Sequence, residues 1–257
     1  MMNEKYIPFP TEEEKNASIQ KIVTDGVQPP CSLGSAVMRL IREISVRELF
    51  FGVGDCVFLA FLAAALLWSA VFASAGQTEA ILPVLMFFAS PFLYALLHLL
   101  TVWKEIMAGT YERLMTCRLS LRQMTILRML VFGGISVLAS TLLNAGLWFI
   151  LSDTGKGAYT YLRMMGISFS GLFLFAWMEL MAEWKWRLPA SCTVAPLLWG
   201  VLGVLSFLWQ EHIRTVLFAV PTAVFVMIAC TFAVLYFGTL KRYYFDSKEG
   251  ALSHAFS

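Results

Sequence analysis

Charged side chains are scarce in this sequence. Asp, Glu, Lys and Arg make up only 14% of the 257 residues, whereas 59% are hydrophobic and the mean hydropathy is +0.72. A water-soluble domain of this length needs more charge to cover its surface. The scarcity of charge excludes an ordinary soluble protein and predicts an integral membrane protein.

The sequence also lacks the common motifs of catalytic and metal sites. Its five cysteines are scattered without a CxxC pair, so neither a disulfide framework nor a zinc site is predicted. No HExxH occurs, and no Ser-His-Asp set can be argued. The run Thr154-Gly155-Lys156 looks like the end of a phosphate-binding loop, but Ile150 occupies the position that requires glycine. We expect no catalytic residue, no metal and no cofactor in this chain.

Six apolar runs approach or exceed the roughly 20 residues that a helix needs to cross a bilayer. Pro91 predicts a kink in the second run, and Pro196 and Pro221 lie in the fifth and sixth. The predicted spans are residues 50–72, 81–103, 129–151, 164–181, 192–209 and 216–240. The predicted fold is therefore an all-α, polytopic membrane protein with six transmembrane helices.

Polar segments flank the predicted transmembrane domain of residues 50–240. Residues 1–34 are expected to form a cytoplasmic tail with a short helix near 12–27 and no signal peptide. Residues 35–49 place apolar side chains on one helical face and basic ones on the other, which predicts an amphipathic interfacial helix. An ordinary soluble helix is the alternative for this segment. Residues 241–257 form a second predicted cytoplasmic tail.

Positive charge predicts the orientation. With the amino terminus inside, all but three of the 19 Lys and Arg residues fall on the cytoplasmic side. The exceptions are Lys156, Arg163 and Arg214. This bias favours an even number of spans with both termini in the cytoplasm.

Polar residues inside spans are the default candidates for function. Here they are Asp55, His98, Asn144 and Glu179, each in a different predicted span. No two acidic residues fall on one face of a predicted span, so no proton relay is predicted. We interpret His98 as a packing or hydrogen-bonding residue. Asp55 and Glu179 are interpreted as residues near the membrane interface that either extend towards the interface or pair with neighbouring basic groups.

The connection 104–128 between the second and third predicted spans interleaves basic and apolar residues, which favours a helix at a surface. Within it, an acidic residue is followed by Gly-Thr-x-Glu, a leucine, a serine and a basic residue that enters the third span. These residues are Glu105, Gly109, Thr110, Glu112, Leu114, Ser120 and Arg128. The motif, the six spans, the cytoplasmic ends and the preceding amphipathic helix resemble the permease subunits of type 2 ABC exporters, in which that helix is called the elbow helix.

The resemblance implies a permease subunit of the bacterial plasma membrane that carries no ATPase activity itself. A separate ATPase subunit, a second permease subunit (a copy or a relative) and the lipid bilayer would be its partners, and nucleic acid would not. Leu114 would anchor the ATPase, while charged side chains would fix the register of the contact. The implied coupling residues are Glu105, Gly109, Thr110, Glu112, Arg113, Leu114, Ser120 and Arg128.

Two other interpretations are open. In the first, no partner binds the connection, and its basic residues only fix the orientation of the chain in the membrane and contact lipid headgroups. A membrane-embedded regulator or envelope-stress accessory protein would instead bind a cytosolic partner, through the same connection or through the amino-terminal tail.

Overall fold

The structure is a computed structural model that describes residues 11–26, 34, 38, 54–75, 82–107, 121–153, 160–186, 191–209, 213, 215 and 219–253. These residues form helices and contain no strand. The helices are α1 (Glu12–Gly26), α2 (Gly54–Ala75), α3 (Leu82–Ala89), α4 (Phe92–Met107), α5 (Leu121–Asp153), α6 (Tyr161–Trp186), α7 (Ser191–Leu208) and α8 (Thr222–Ser253). The chain divides into two compact units, Met1–Ile44 and Ser45–Ser257.

The first unit contains α1, which lies where the sequence predicts a short helix. Its start is a capping box: the Thr11 backbone N–H donates to the Glu14 carboxylate at 3.0 Å, and the Glu14 N–H donates to Thr11 Oγ1 at 3.4 Å. The predicted amphipathic helix at 35–49 lies outside the described residues, apart from Met38.

Four helical stretches of the second unit are long and apolar enough to cross a membrane. They correspond to the second, third, fourth and sixth predicted spans, and they are Leu82–Lys104, Met124–Ser152, Tyr161–Lys185 and Thr222–Tyr243. The first and fifth predicted spans lie in α2 and α7, whose apolar runs are shorter, at Val57–Phe72 and Thr193–Ser206. The all-helical fold is thus confirmed for the described residues, and its four long apolar helices are compatible with a multi-pass membrane protein.

The apolar stretch that corresponds to the sixth predicted span, 216–240, is Thr222–Tyr243. Pro221 lies just before α8 instead of inside it, and its carbonyl oxygen accepts a bond from the Val224 N–H at 3.0 Å. A proline is well tolerated where a helix starts, since the first N–H groups have no partner within the helix. The helix then continues to Ser253, through most of the predicted carboxy-terminal tail.

Helix α6 is the centre of the second unit and packs against α3, α5, α7 and α8. Contacts along its length give the helix directions. From the start of α6 towards its end, its partners on α8 run from Phe225 beside Gly166 to Phe232 beside Trp177, so α6 and α8 are parallel. The same progression, from Ser90 to His98, makes α4 parallel to α6.

An apolar core fills the end of the bundle where α2 and α5 end and where α3, α6 and α8 begin. Its buried members include Trp68 of α2, Met86 of α3, Leu147 of α5, Met164 of α6 and Phe225 of α8. Because this core is contributed by all five helices, it fixes their relative positions at that end. Polar side chains occupy the interior at the opposite end.

The predicted kink at Pro91 is confirmed as a break between α3 and α4. Pro91 has no N–H to donate to the Phe87 carbonyl, which frees backbone groups inside the bundle. Neighbouring helices contact the break: the Trp199 indole N–H of α7 donates to the Phe88 carbonyl at 3.1 Å, and the Ser90 hydroxyl donates to the Ser168 carbonyl at 2.7 Å. Polar contacts of this kind are what allow a broken helix at membrane depth.

We expect Gly171→Ala to destabilise the bundle by about 1–3 kcal/mol, the usual cost of forcing a backbone shift in a packed interior. A Cβ at Gly171 would clash with the Phe87 carbonyl oxygen, because α6 touches the backbone of α3 at the break. Gly134→Ala is the matched control, since no atom lies within 4 Å of a Cβ there. Unfolding of the purified chain in mixed micelles would measure both variants, and equal stability would contradict the close approach.

Candidate functional site

Six polar side chains from four helices meet in the interior at the end opposite the apolar core. We call this group the polar cluster. It consists of Tyr94 and His98 of α4, Arg128 of α5, Glu179 and Glu183 of α6, and Tyr236 of α8. Ionisable side chains inside membrane-spanning helices are costly to bury and therefore usually functional.

His98 is the hub of the polar cluster. Its Nε2 lies 2.8 Å from Oε1 of Glu183, a hydrogen bond, and 3.8 Å from Oε1 of Glu179. The two glutamates are one turn apart on the same face of α6, so both reach the same imidazole. The His98 ring is also stacked on Tyr94, with an interplanar angle of 6° and 6.4 Å between ring centroids.

Glu179 is a fully buried member of the polar cluster. Its side chain is 0% exposed, and neither carboxylate oxygen has a hydrogen-bond partner in the part of the chain that the structure describes. Glu183 reaches the surface slightly, with 12% of its side chain exposed. The polar cluster therefore contains one fully buried carboxyl group, that of Glu179, and one that is partly exposed, that of Glu183.

Helix α5 supplies a positive charge and a surface for the tyrosines. Arg128 is 7% exposed, and its charge acts on His98. Gly133, a turn and a half further along α5, leaves room for both tyrosines: a Cβ there would lie 3.8 Å from the Tyr94 ring and 3.9 Å from the Tyr236 hydroxyl oxygen. The positive charge of Arg128 thus lies inside the bundle and acts on His98, the residue that contacts both carboxyl groups.

The structure changes the interpretation of the polar span residues. His98 does form a hydrogen bond, as predicted. Glu179 does not extend to the surface, because its side chain is fully buried, and the ionisable side chain that it contacts is His98. The statement that no two acidic residues share a face of one span is wrong as well: α6 continues to Trp186, past the predicted end at 181, and so includes Glu183.

Asn144 lies outside the polar cluster. Asn144 links α5 to α6 near the apolar core, where its Oδ1 accepts a bond from the Ser168 hydroxyl at 3.2 Å and its Nδ2 donates to Met165 Sδ at 3.7 Å. Its role is therefore helix packing. Asp55 lies in the first turn of α2, and its side chain is outside the described part of the structure.

Of the implied coupling residues, Arg128 has a described side chain, and it lies inside the bundle. It therefore contributes to the polar cluster and not to an exposed partner surface, which corrects the role implied by the resemblance. Glu105 lies in the last turn of α4 with its side chain undescribed. The remaining six, Gly109, Thr110, Glu112, Arg113, Leu114 and Ser120, lie outside the described residues.

A metal site is not apparent: no group of three or more His, Cys, Asp or Glu side chains suited to a metal ion occurs within the described ranges. No protein-family model matches the chain, and no significant match is found among curated proteins or solved structures.

Proposed function

We propose that the chain is a permease subunit of an ATP-driven exporter of the type 2 ABC class, and that ATP is hydrolysed by a separate subunit bound at the connection 104–128. The observation that carries this proposal is the position of the polar cluster. It joins α4 and α5, the two helices that flank the connection, to the central helix α6.

The geometry supports a mechanical role for this link. His98 lies about two and a half turns before the end of α4 at Met107, and Arg128 about two turns after the start of α5 at Leu121. A force applied to the connection reaches α6 through the His98–Glu183 bond. Since α6 packs on α3, α5, α7 and α8, its displacement would move most of the bundle as rigid bodies.

Helix directions support six spans. Because α6 and α8 are parallel, the chain between them has to cross back, and α7 is the long helix within that interval. Helix α2 has 22 residues and so extends about 33 Å, close to the roughly 30 Å of a bilayer core. Two further crossings by α2 and α7 would give six, with both chain ends on one side of the membrane.

The distribution of positive charge supports a cytoplasmic location for the end with the polar cluster. Lys104 lies in the last turn of α4 and Lys185 in the last turn of α6. Lys241 and Arg242 are exposed on α8 beyond Tyr236. Since α4, α6 and α8 are parallel, these charges lie towards the same end of the bundle, as the positive-inside rule predicts for the bacterial cytoplasm.

The alternative function is a membrane-embedded regulator that binds a cytosolic partner. It is favoured by α1, whose described side chains are exposed and which belongs to a compact unit separate from the bundle. A partner captured by this helix would bind the amino-terminal tail and leave the connection 104–128 free.

Purification of the full chain from its native membrane would distinguish the two functions. The exporter proposal predicts a stoichiometric partner with the Walker motifs of an ABC ATPase, and this partner is retained after deletion of residues 1–34. A transcriptional or sigma-type partner that is lost on the same deletion would support the regulator and contradict the exporter.

A further inference from the structure

We propose that Glu179 is a proton-binding site: its carboxylate takes up one proton from water and releases it again, with Glu183 and His98 as the relay. The site requires only this chain, so it does not depend on the identity of any partner.

The first argument is the isolation of the Glu179 carboxyl group. Its side chain is fully buried, and both oxygens lack a hydrogen-bond donor among the side chains and backbone groups described. His98 Nε2 lies 3.8 Å from Oε1 of Glu179, beyond hydrogen-bond distance. An ionised carboxylate is costly in such a place, whereas a protonated carboxylic acid is not charged.

The second argument is the charge of the surrounding groups. The charged groups that act on His98 are Glu179, Glu183 and Arg128. The tyrosines of α4 and α8 are neutral, and α3 and α7 contain no charged residue. Two carboxylates and one guanidinium leave the polar cluster with one negative charge when the imidazole is neutral. Binding of one proton makes the buried group neutral, the state that a low-dielectric interior favours.

The third argument places the proton on Glu179 and not on the imidazole. With Glu183 ionised, the 2.8 Å contact between Glu183 Oε1 and His98 Nε2 requires a hydrogen on Nε2, and this hydrogen is used in that bond. A second hydrogen, on Nδ1, would have no acceptor in the described part of the bundle. Nδ1 has no partner in either form, but a charged N–H group without an acceptor costs more in a buried place than an unpaired nitrogen lone pair. The neutral imidazole is therefore favoured, and the carboxyl group of Glu179 holds the proton.

The geometry also provides a route. Glu183, which is partly exposed, takes a proton from water and becomes a carboxylic acid. His98 then gives its Nε2 hydrogen to Glu179 across the 3.8 Å gap after a small side-chain rotation, and Nε2 receives the proton of Glu183 in return. At the end, Glu179 is protonated, Glu183 is ionised and His98 is neutral. Reversal of these steps returns the proton to water.

Infrared spectroscopy of the full chain in lipid vesicles tests the site. We expect the C=O stretching band of a buried carboxylic acid in the wild-type protein, its loss as the pH is raised, and its absence at every pH in Glu179→Gln. The exposed Glu13 of α1 provides the matched control, because Glu13→Gln should leave the band unchanged. A wild-type spectrum without the band, or a band that persists in Glu179→Gln, would overturn the proposal.

A second variant keeps the proposal testable if Glu179→Gln does not fold. Glu183→Gln interrupts the relay and removes one negative charge, so the Glu179 band should be lost at a lower pH than in the wild type. At a pH where the band is present, we expect deuterium from heavy water to enter it more slowly than in the wild type. Exchange at the wild-type rate in this variant would contradict the relay, and a pH-independent wild-type band would contradict the exchangeable site.

Discussion

Replacement of His98 by leucine is expected to destabilise the bundle by about 3 kcal/mol or more. The imidazole shares the 2.8 Å hydrogen bond with Glu183 and stacks on Tyr94. Leucine removes both contacts and leaves a mostly buried carboxylate without its partner. The loss of a hydrogen bond to a charged group and the resulting desolvation penalty account for an effect of this size.

A double-mutant cycle identifies the cause of this loss. If the penalty comes from the orphaned carboxylate, His98→Leu combined with Glu183→Leu should be more stable than His98→Leu alone, because no unpaired group then remains at this position. Thr231→Leu, at an exposed position of α8, controls for the addition of a leucine to a span. Unfolding in mixed micelles would give the change in the free energy of unfolding for His98→Leu, for Glu183→Leu and for the double variant. Strictly additive effects would show that the His98–Glu183 bond does not couple α4 to α6.

Glu112→Arg is expected to abolish ATP-coupled transport while membrane insertion stays normal. The residue lies in the connection 104–128, where charge pairs would fix the register of the ATPase contact. Reversal of one charge replaces an attraction by a repulsion of several kcal/mol, which corresponds to a loss of about 100-fold or more in affinity for the partner. Lys156→Glu is the control, since this residue lies in the predicted outer connection and should retain full binding.

The helical fold follows from the sequence because burial in a bilayer leaves few alternatives. Long apolar runs have to be helices, since lipid offers no partner for backbone groups. Pro91 breaks the second span where expected, because its missing N–H acts on local backbone bonds. The ends of the helices are harder to predict from the sequence. Helix α8 begins after Pro221 and continues to Ser253, beyond its apolar stretch, which ends at Tyr243.

The polar cluster could be predicted only in part. His98 and Glu179 are visible as polar residues in apolar runs, but their contact depends on how α4 and α6 pack. The missed signal is the spacing of Glu179 and Glu183, which places two carboxyl groups one turn apart if α6 is extended by a single turn. Arg128 shows the opposite limit, because a basic residue at the start of a span fits a surface contact and a buried one equally well by sequence.

The connection 104–128 is the central element of the exporter proposal, and photo-crosslinking tests its contact most directly. A photoreactive amino acid would replace Leu114, the predicted anchor, in native membranes, and the crosslinked product would be identified by mass spectrometry. We predict a crosslink to a protein with ABC ATPase motifs in the wild-type background and its loss in Glu112→Arg. Crosslinks from this position to lipid alone, or to a cytosolic protein without those motifs, would contradict the proposal.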